Sequence, residues 1–217
     1  MDKRSHLAES LWRKAKTKQK AARRQPRQRR AQQTVEAILD AVVRIVKREG
    51  PQAVTTNRIA EVAGASIGSV YQYFPDKRAI FAALHRRHIE QIDRMLESTL
   101  VRNASSSLEE LMRAMIDGMV DAHSTDPEFY QALLAEIPHR TEVTQDFPVR
   151  LHGAFRLAIA SHAPRLAVRR NLDKTVFVVA HMVDSLSHGA VLRRPPGVSL
   201  AAAKEEALRA VLAYLRL

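Results

Sequence analysis

Residues 54–81 read VTTNRIAEVAGASIGSVYQYFPDKRAIF, and the order of hydroxyl, apolar and small side chains along them decides the local architecture. Thr55 and Thr56 precede apolar positions at Ile59, Ala60, Val62 and Ala63, so the Thr55 hydroxyl can accept from a backbone N–H orphaned at a helix start. The spacing predicts a short helix ending near Ala63. Gly64 supplies the positive φ with which such a helix closes, and Ser66 can cap a second helix over residues 66–73. Two helices joined this tightly form a helix-turn-helix.

In such a unit the second helix enters the DNA major groove with its N-terminal residues on base edges, while the first lies across the backbone. Val70 and Phe74 lie four apart and are placed to bury against the first helix, which turns Ile67, Gly68, Ser69 and Gln72 outward as base-facing candidates. Gly68 permits close backbone approach, Gln72 can bond adenine N6 and N7, and Ile67 can touch a thymine methyl. Tyr71 and Tyr73 carry hydroxyls suited to phosphate oxygens. After Pro75 a new helix is expected from Asp76, and Lys77 with Arg78 stands at its N-terminus, where a phosphate oxygen is favoured. Lys77 is the expected anchor.

The run Thr55-Thr56, Ile59-Ala60, Ala63-Gly64, Ser66, Gly68, Val70-Tyr71, Tyr73-Phe74 and Lys77 resembles the N-terminal DNA-binding domain of the TetR/AcrR family of transcriptional regulators. The pattern of that family is a helix-turn-helix ending in a tyrosine-rich YxxF with a following lysine. The resemblance covers residues 33–81 by motif and residues 108–217 by architecture alone. It implies a DNA-binding set of Thr55, Thr56, Asn57, Ser66, Ile67, Gly68, Ser69, Tyr71, Gln72, Tyr73 and Lys77. It also implies a homodimer, built by pairing the last two helices with their twins, that presents two reading helices to a palindromic double-stranded operator. Release by a small-molecule effector, through motion carried along the linker helix, is the further implication. The function expected is therefore a sequence-specific transcriptional repressor in the cytoplasm, with no cofactor.

Charge sets up a competing reading. The chain carries a formal net charge of +12, and residues 1–30 hold twelve of its 35 Lys and Arg against two of its 23 Asp and Glu. The other 187 residues hold 23 basic and 21 acidic side chains and are close to neutral. Residues 1–30 have few apolar side chains and are expected to form a flexible basic arm, drawn into the phosphate field and able to place Arg27, Arg29 or Arg30 in a minor groove. An arm acting alone would make a nonspecific architectural DNA-binding protein, the alternative to a regulator.

Past the arm the pattern is helical throughout, giving an all-α fold: an N-terminal three-helix helix-turn-helix domain over 31–81 and a C-terminal helical ligand-binding and dimerisation domain over 82–217, joined by a linker helix over about 76–102. Val35, Ile38, Leu39, Val42, Ile45 and Val46 predict a helix closing at Gly50-Pro51. In the second domain Met115, Met119, Phe129, Phe155, Val178 and Met182 are candidates for the wall of an effector pocket, because soft Met side chains line adaptable sites. Residues 176–180 are apolar all round, which points to packing on a partner as well as on the core, and Val179, Val183, Val211, Leu212 and Leu215 are the dimer-interface candidates. His152, His181 and His188 could add polar or titratable groups to the effector pocket, although a lone His on a helix is more often a satisfied core or surface residue. His85 and His88 stand beside Arg86 and Arg87, whose repulsion argues against a metal ion, and no metal site is expected. The chain has no Cys, and no nucleophile–base pair stands at recognisable spacing, so an enzyme is not expected. No apolar stretch of bilayer-spanning length is evident, and no membrane partner is expected.

Overall fold

The computed structural model describes residues 28–136, 147–162 and 171–216. Its described secondary structure is helical, and the chain divides into two compact units between Asp76 and Lys77. Residues 1–27, with Arg27 among them, lie outside the described residues, so most of the basic arm does too.

In the first unit α1 spans 28–49 and buries Ile38, Leu39, Ala41, Val42, Ile45 and Val46. Arg29 and Arg30, expected in a flexible arm, are instead exposed residues of α1. Gly50, at φ 84°, leads into a short 3-10 turn, Pro51–Ala53. The chain then enters α2, Thr56–Ala63, where the Thr55 side chain accepts from Arg58 N–H at 3.2 Å. Helix α2 ends on Gly64 at φ 64° and ψ 31°, with Ala65 N–H donating to Ala60 O at 2.9 Å and Gly64 N–H to Glu61 O at 3.2 Å. These are the two hydrogen bonds of a Schellman ending, which only a left-handed residue allows. Ser66 accepts from Ser69 N–H at 3.0 Å and opens α3, Ile67–Tyr73. Helices α2 and α3 pack on one another, with Ile59, Ala60, Val70 and Phe74 buried.

Two polar ties hold α2 to α1. Arg58 grips Glu49 in bidentate fashion, Nη2 to Oε1 at 2.7 Å and Nε to Oε2 at 2.9 Å, and Arg44 Nη2 donates to Val62 O at 3.1 Å. The first tie fixes the start of α2 against the last turn of α1, and the second fixes its end.

The second unit contains α4, Lys77–Arg102; α5, Leu108–Ser124; α6, Pro127–Glu136; α7, Phe147–His162; α8, Leu172–Leu192; and α9, Leu200–Arg216. The termini are specified locally. Ser107 and Glu110 close a capping box on α5, Asp126 Oδ1 accepts from Phe129 N–H at 3.0 Å, and Ser199 caps α9 through Ala202 N–H at 3.0 Å. One core cluster runs through α4, α5, α7, α8 and α9, with Met112, Met115, Met119, Phe155, Ile159, Val179, Val183, Val211 and Leu215 buried in it. Helix α5 approaches α4 closely at Gly118, where a Cβ would collide with the Met95 thioether.

Two expectations need correction. Helix α8 is long and apolar enough by length and composition to cross a membrane, with a mean hydropathy of 1.4, contrary to the sequence reading. Its packing against α5, α7 and α9, and its buried Thr175 and Ser187, explain that composition as that of a bundle's central helix. The dimer candidates Val179, Val183, Val211 and Leu215 are at most 4% exposed in the single chain, and Leu212 is half-buried on the same core. Their apolar character serves the bundle interior, and a second copy cannot reach the four buried ones. The large apolar side chains that α8 leaves exposed are Phe177 and Leu186.

A Cβ at Gly64 meets nothing within 4 Å, so replacing it costs backbone strain alone. Gly64→Ala should lower unfolding free energy in urea by about 1 to 2 kcal/mol. Unchanged stability would contradict the role given to the left-handed turn.

Candidate nucleic-acid interface

The face of α3 away from the buried Val70 carries exposed Ile67, Gly68, Tyr71 and Gln72, with Ile67 46% and Tyr71 54% exposed. Large apolar and aromatic side chains left in water on a seven-residue helix, beside a polar amide, make a surface prepared for contact. A Cβ at Gly68 would come no closer to another group than 3.9 Å from Ser66 Oγ, so the fold itself does not require glycine there. The open space lies on the outward side of the helix.

The remaining candidates divide by what already occupies them. Ser69 is half-buried and its hydroxyl shares a 2.8 Å hydrogen bond with Ser66 Oγ, so both oxygens are engaged in starting α3. Tyr73 is half-buried, Thr55 and Asn57 are exposed, and Thr56 is half-buried. Arg30, Gln33 and Thr34 of α1 join Gly64, Ala65, Ser66 and Ser69 in lining a cleft of about 460 Å³. The start of α1 therefore shares a surface with the start of α3. Arg58 is not a free cation: its hydrogen bonds to Glu49 and Glu61 raise its pKa above the ordinary value and hold Glu49 below the usual carboxylate range.

Lys77 opens α4 in the second unit. Its Nζ donates to Glu136 Oε1 at 2.7 Å and lies 5.4 Å from the Phe81 ring centre. The expected phosphate anchor thus already has a carboxylate partner.

Of the effector candidates, Met115, Met119 and Phe155 are fully buried in the core of the second unit, Met182 is partly buried against it, and Phe129 and Val178 are half-buried. Beside them is a polar cluster that the sequence reading missed. His88 of α4 meets His123 of α5, Nε2 to Nδ1 at 3.1 Å; His123 stacks on Tyr130 of α6 with ring centres 4.4 Å apart and on His188 of α8 at 4.6 Å. His188 Nδ1 donates to Asp184 O at 2.7 Å, which makes Nε2 the acceptor and Tyr130 the donor in the hydrogen bond between them. His85 Nδ1 and His123 Nε2 are buried without a partner. Burial, with His85 and His188 nearby, pushes His88 down to about 4, and burial, with His188 and His88, pushes His123 lower still. Burial and the Asp184 carboxylate raise Tyr130 above the ordinary phenol value. His152 and His181 are not isolated either: they pack with exposed Phe177, their own ring centres 5.4 Å apart. Among the described residues no group of three or more His, Asp or Glu is arranged to hold a metal ion.

Comparison with known proteins agrees with this arrangement. The family model "Bacterial regulatory proteins, tetR family" matches residues 38–84, and "Tetracyclin repressor-like, C-terminal domain" matches residues 107–215, half of the chain. The chain belongs to the TetR family of bacterial regulatory proteins and is a DNA-binding transcriptional regulator. It is 25% identical over 169 residues to the HTH-type transcriptional repressor AcnR of Corynebacterium glutamicum, an alignment covering 75% of this chain and 82% of that one. To AcnR of Corynebacterium efficiens it is 28% identical over 137 residues, covering 63% of this chain and 65% of that protein. A TetR transcription regulator from Haloarcula marismortui, 17% identical, shares the fold with a TM-score of 0.63 over 84% of this chain and 96% of its own.

The histidine cluster has a consequence for stability. Against the ordinary value of 6.5 that an unfolded histidine keeps, His88 and His123 are depressed in the fold, so below pH 6.5 the unfolded chain binds more protons. The stability that neutral imidazoles contribute is complete above about pH 7 and falls as pH drops from 6.5 toward 4, by up to about 1.4 kcal/mol per pH unit for each group. The thermal midpoint should therefore be lower at pH 5 than at pH 7.5, and His88→Gln should shrink the difference. A midpoint independent of pH over this range would contradict the assignment.

Proposed function

We propose that the protein is a transcriptional repressor that acts in the cytoplasm, binds a palindromic operator as a homodimer, and leaves it when a small-molecule effector occupies the helical unit. The observation that carries the DNA-binding half is the exposed row Ile67, Gly68, Tyr71 and Gln72 on a helix whose opposite side is buried. The relatives named as repressors support the direction of regulation. Ile67, Gly68 and Gln72 face base edges, while Tyr71, Tyr73, Thr55, Thr56, Asn57, Ser66, Ser69 and Lys77 position the backbone, and Arg29 and Arg30 at the start of α1 add cationic contacts to it. A single seven-residue helix reads few base pairs, and two-fold pairing doubles the readout. With four of the five dimer candidates in the core, the apolar side chains that α8 and α9 offer a twin include exposed Phe177 and Leu186 and half-buried Leu212.

The effector reading follows from the core. A ligand reaching Met115, Met119, Phe129, Phe155, Val178 and Met182 displaces packed side chains, and the three methionines are unbranched enough to re-form around it. The cluster of His88, His123, Tyr130 and His188 gives that core polar groups for orienting a ligand.

Selecting bound duplexes from a random pool with full-length protein at physiological salt tests the reading. An enriched two-fold symmetric motif is the expected outcome; tight binding without enrichment would favour an architectural protein instead. On the selected operator Gln72→Ala should cost about 1 to 3 kcal/mol and leave unrelated duplexes unaffected, whereas Lys77→Ala should weaken all duplexes alike. Equal losses for Gln72→Ala on both kinds of duplex would remove that side chain from base recognition.

A further inference from the structure

Lys77 stands four positions after Tyr73, the last residue of the reading helix, and is the residue read above as a phosphate contact. Yet its Nζ sits 2.7 Å from Glu136 Oε1, at the closing residue of α6 and 59 positions further along the chain. A carboxylate at that distance cancels the charge a phosphate would be drawn to, and places a negative group beside the phosphate's own seat. The two anions compete. Lys77 and Glu136 are 35% and 33% exposed, so the pair is open to solvent and weak enough to be displaced.

Glu136 is not at a loose end. Helix α6 is held six residues earlier by Tyr130, which is 4% exposed, donates to His188 of α8 and stacks on His123 of α5. The same ten-residue helix thus connects the buried polar cluster to the lysine. A shift of α6 that follows rearrangement of the cluster changes the distance between Glu136 and Lys77.

We propose that the Lys77–Glu136 ion pair is an autoinhibitory contact, in which Glu136 competes with operator phosphate for Lys77 and so sets DNA affinity from within the effector unit. This rests on the reading of Lys77 as a phosphate contact. It makes Glu136 a residue that acts through another, without touching DNA.

The test uses full-length protein, the selected operator, and a scrambled duplex of equal length, with affinity measured across a salt series for wild type, Glu136→Gln, Lys77→Ala and the double variant. Glu136→Gln preserves the shape of the side chain and removes its charge. It should bind both duplexes about two- to fivefold more tightly, the range of an exposed ion pair. The slope of log affinity against log salt should steepen by up to about 0.9 per protomer, as one more phosphate is neutralised. In the Lys77→Ala background the same substitution should change neither quantity. Unchanged affinity for Glu136→Gln overturns the proposal, as does an equal gain in the Lys77→Ala background, which would mark a general charge effect. If Lys77→Ala alone leaves affinity and slope unaltered, the phosphate reading of Lys77 fails first. Loss in Lys77→Ala with no gain in Glu136→Gln sinks the autoinhibitory contact alone.

Discussion

With φ at 64°, Gly64 reverses the chain between α2 and α3 in a conformation that an L side chain adopts only under strain. The turn satisfies the last carbonyls of α2, delivers Ser66 to the position from which it caps α3, and so sets the rotation of α3 about its own axis. Once that rotation is fixed, Val70 and Phe74 face inward, and Ile67, Gly68, Tyr71 and Gln72 are left outward. The exposed surface of α3 is thus a consequence of a backbone constraint. Arg58 and Arg44 hold α2 against α1 at both ends, which gives the turn a rigid base.

The second unit is organised by a different force. Its helices have few local constraints beyond their caps, and α8 is positioned by burying apolar side chains against α5, α7 and α9 at once. That explains why its composition approaches that of a membrane span while its environment is a protein core. Within this apolar bundle the His88, His123, Tyr130 and His188 cluster is costly to bury, and His123 Nε2 in it, like Nδ1 of His85, lacks a hydrogen-bond partner. These polar groups meet where four helices, α4, α5, α6 and α8, come together.

The sequence was most legible where interactions are local. Thr55, Gly64 and Ser66 act on residues a few positions away, so pattern alone places them, and the bounds of α2 and α3 follow within a residue or two. The surface of α3 was legible for the same reason: Val70 and Phe74 define its buried side. Long-range pairing was not. Val179 and Leu215 declare themselves apolar but not what they pack against, so a dimer face and a bundle core look identical in one dimension. His88 and His123 are 35 positions apart, and Tyr130 and His188 are 58 apart, and nothing in their spacing announces that they meet. Nothing in the spacing of Glu136 announces its tie to Lys77, 59 positions away.

The claim on which the account turns is that α3, and not the basic segment preceding it, meets the bases. Backbone amide shifts of isotope-labelled protein, recorded with and without a selected duplex, test it directly. The largest changes are expected at Ile67, Gly68 and Gln72, greater on the selected duplex than on a scrambled one. Changes confined to the start of α1 and the residues before it, equal for both duplexes, would contradict it.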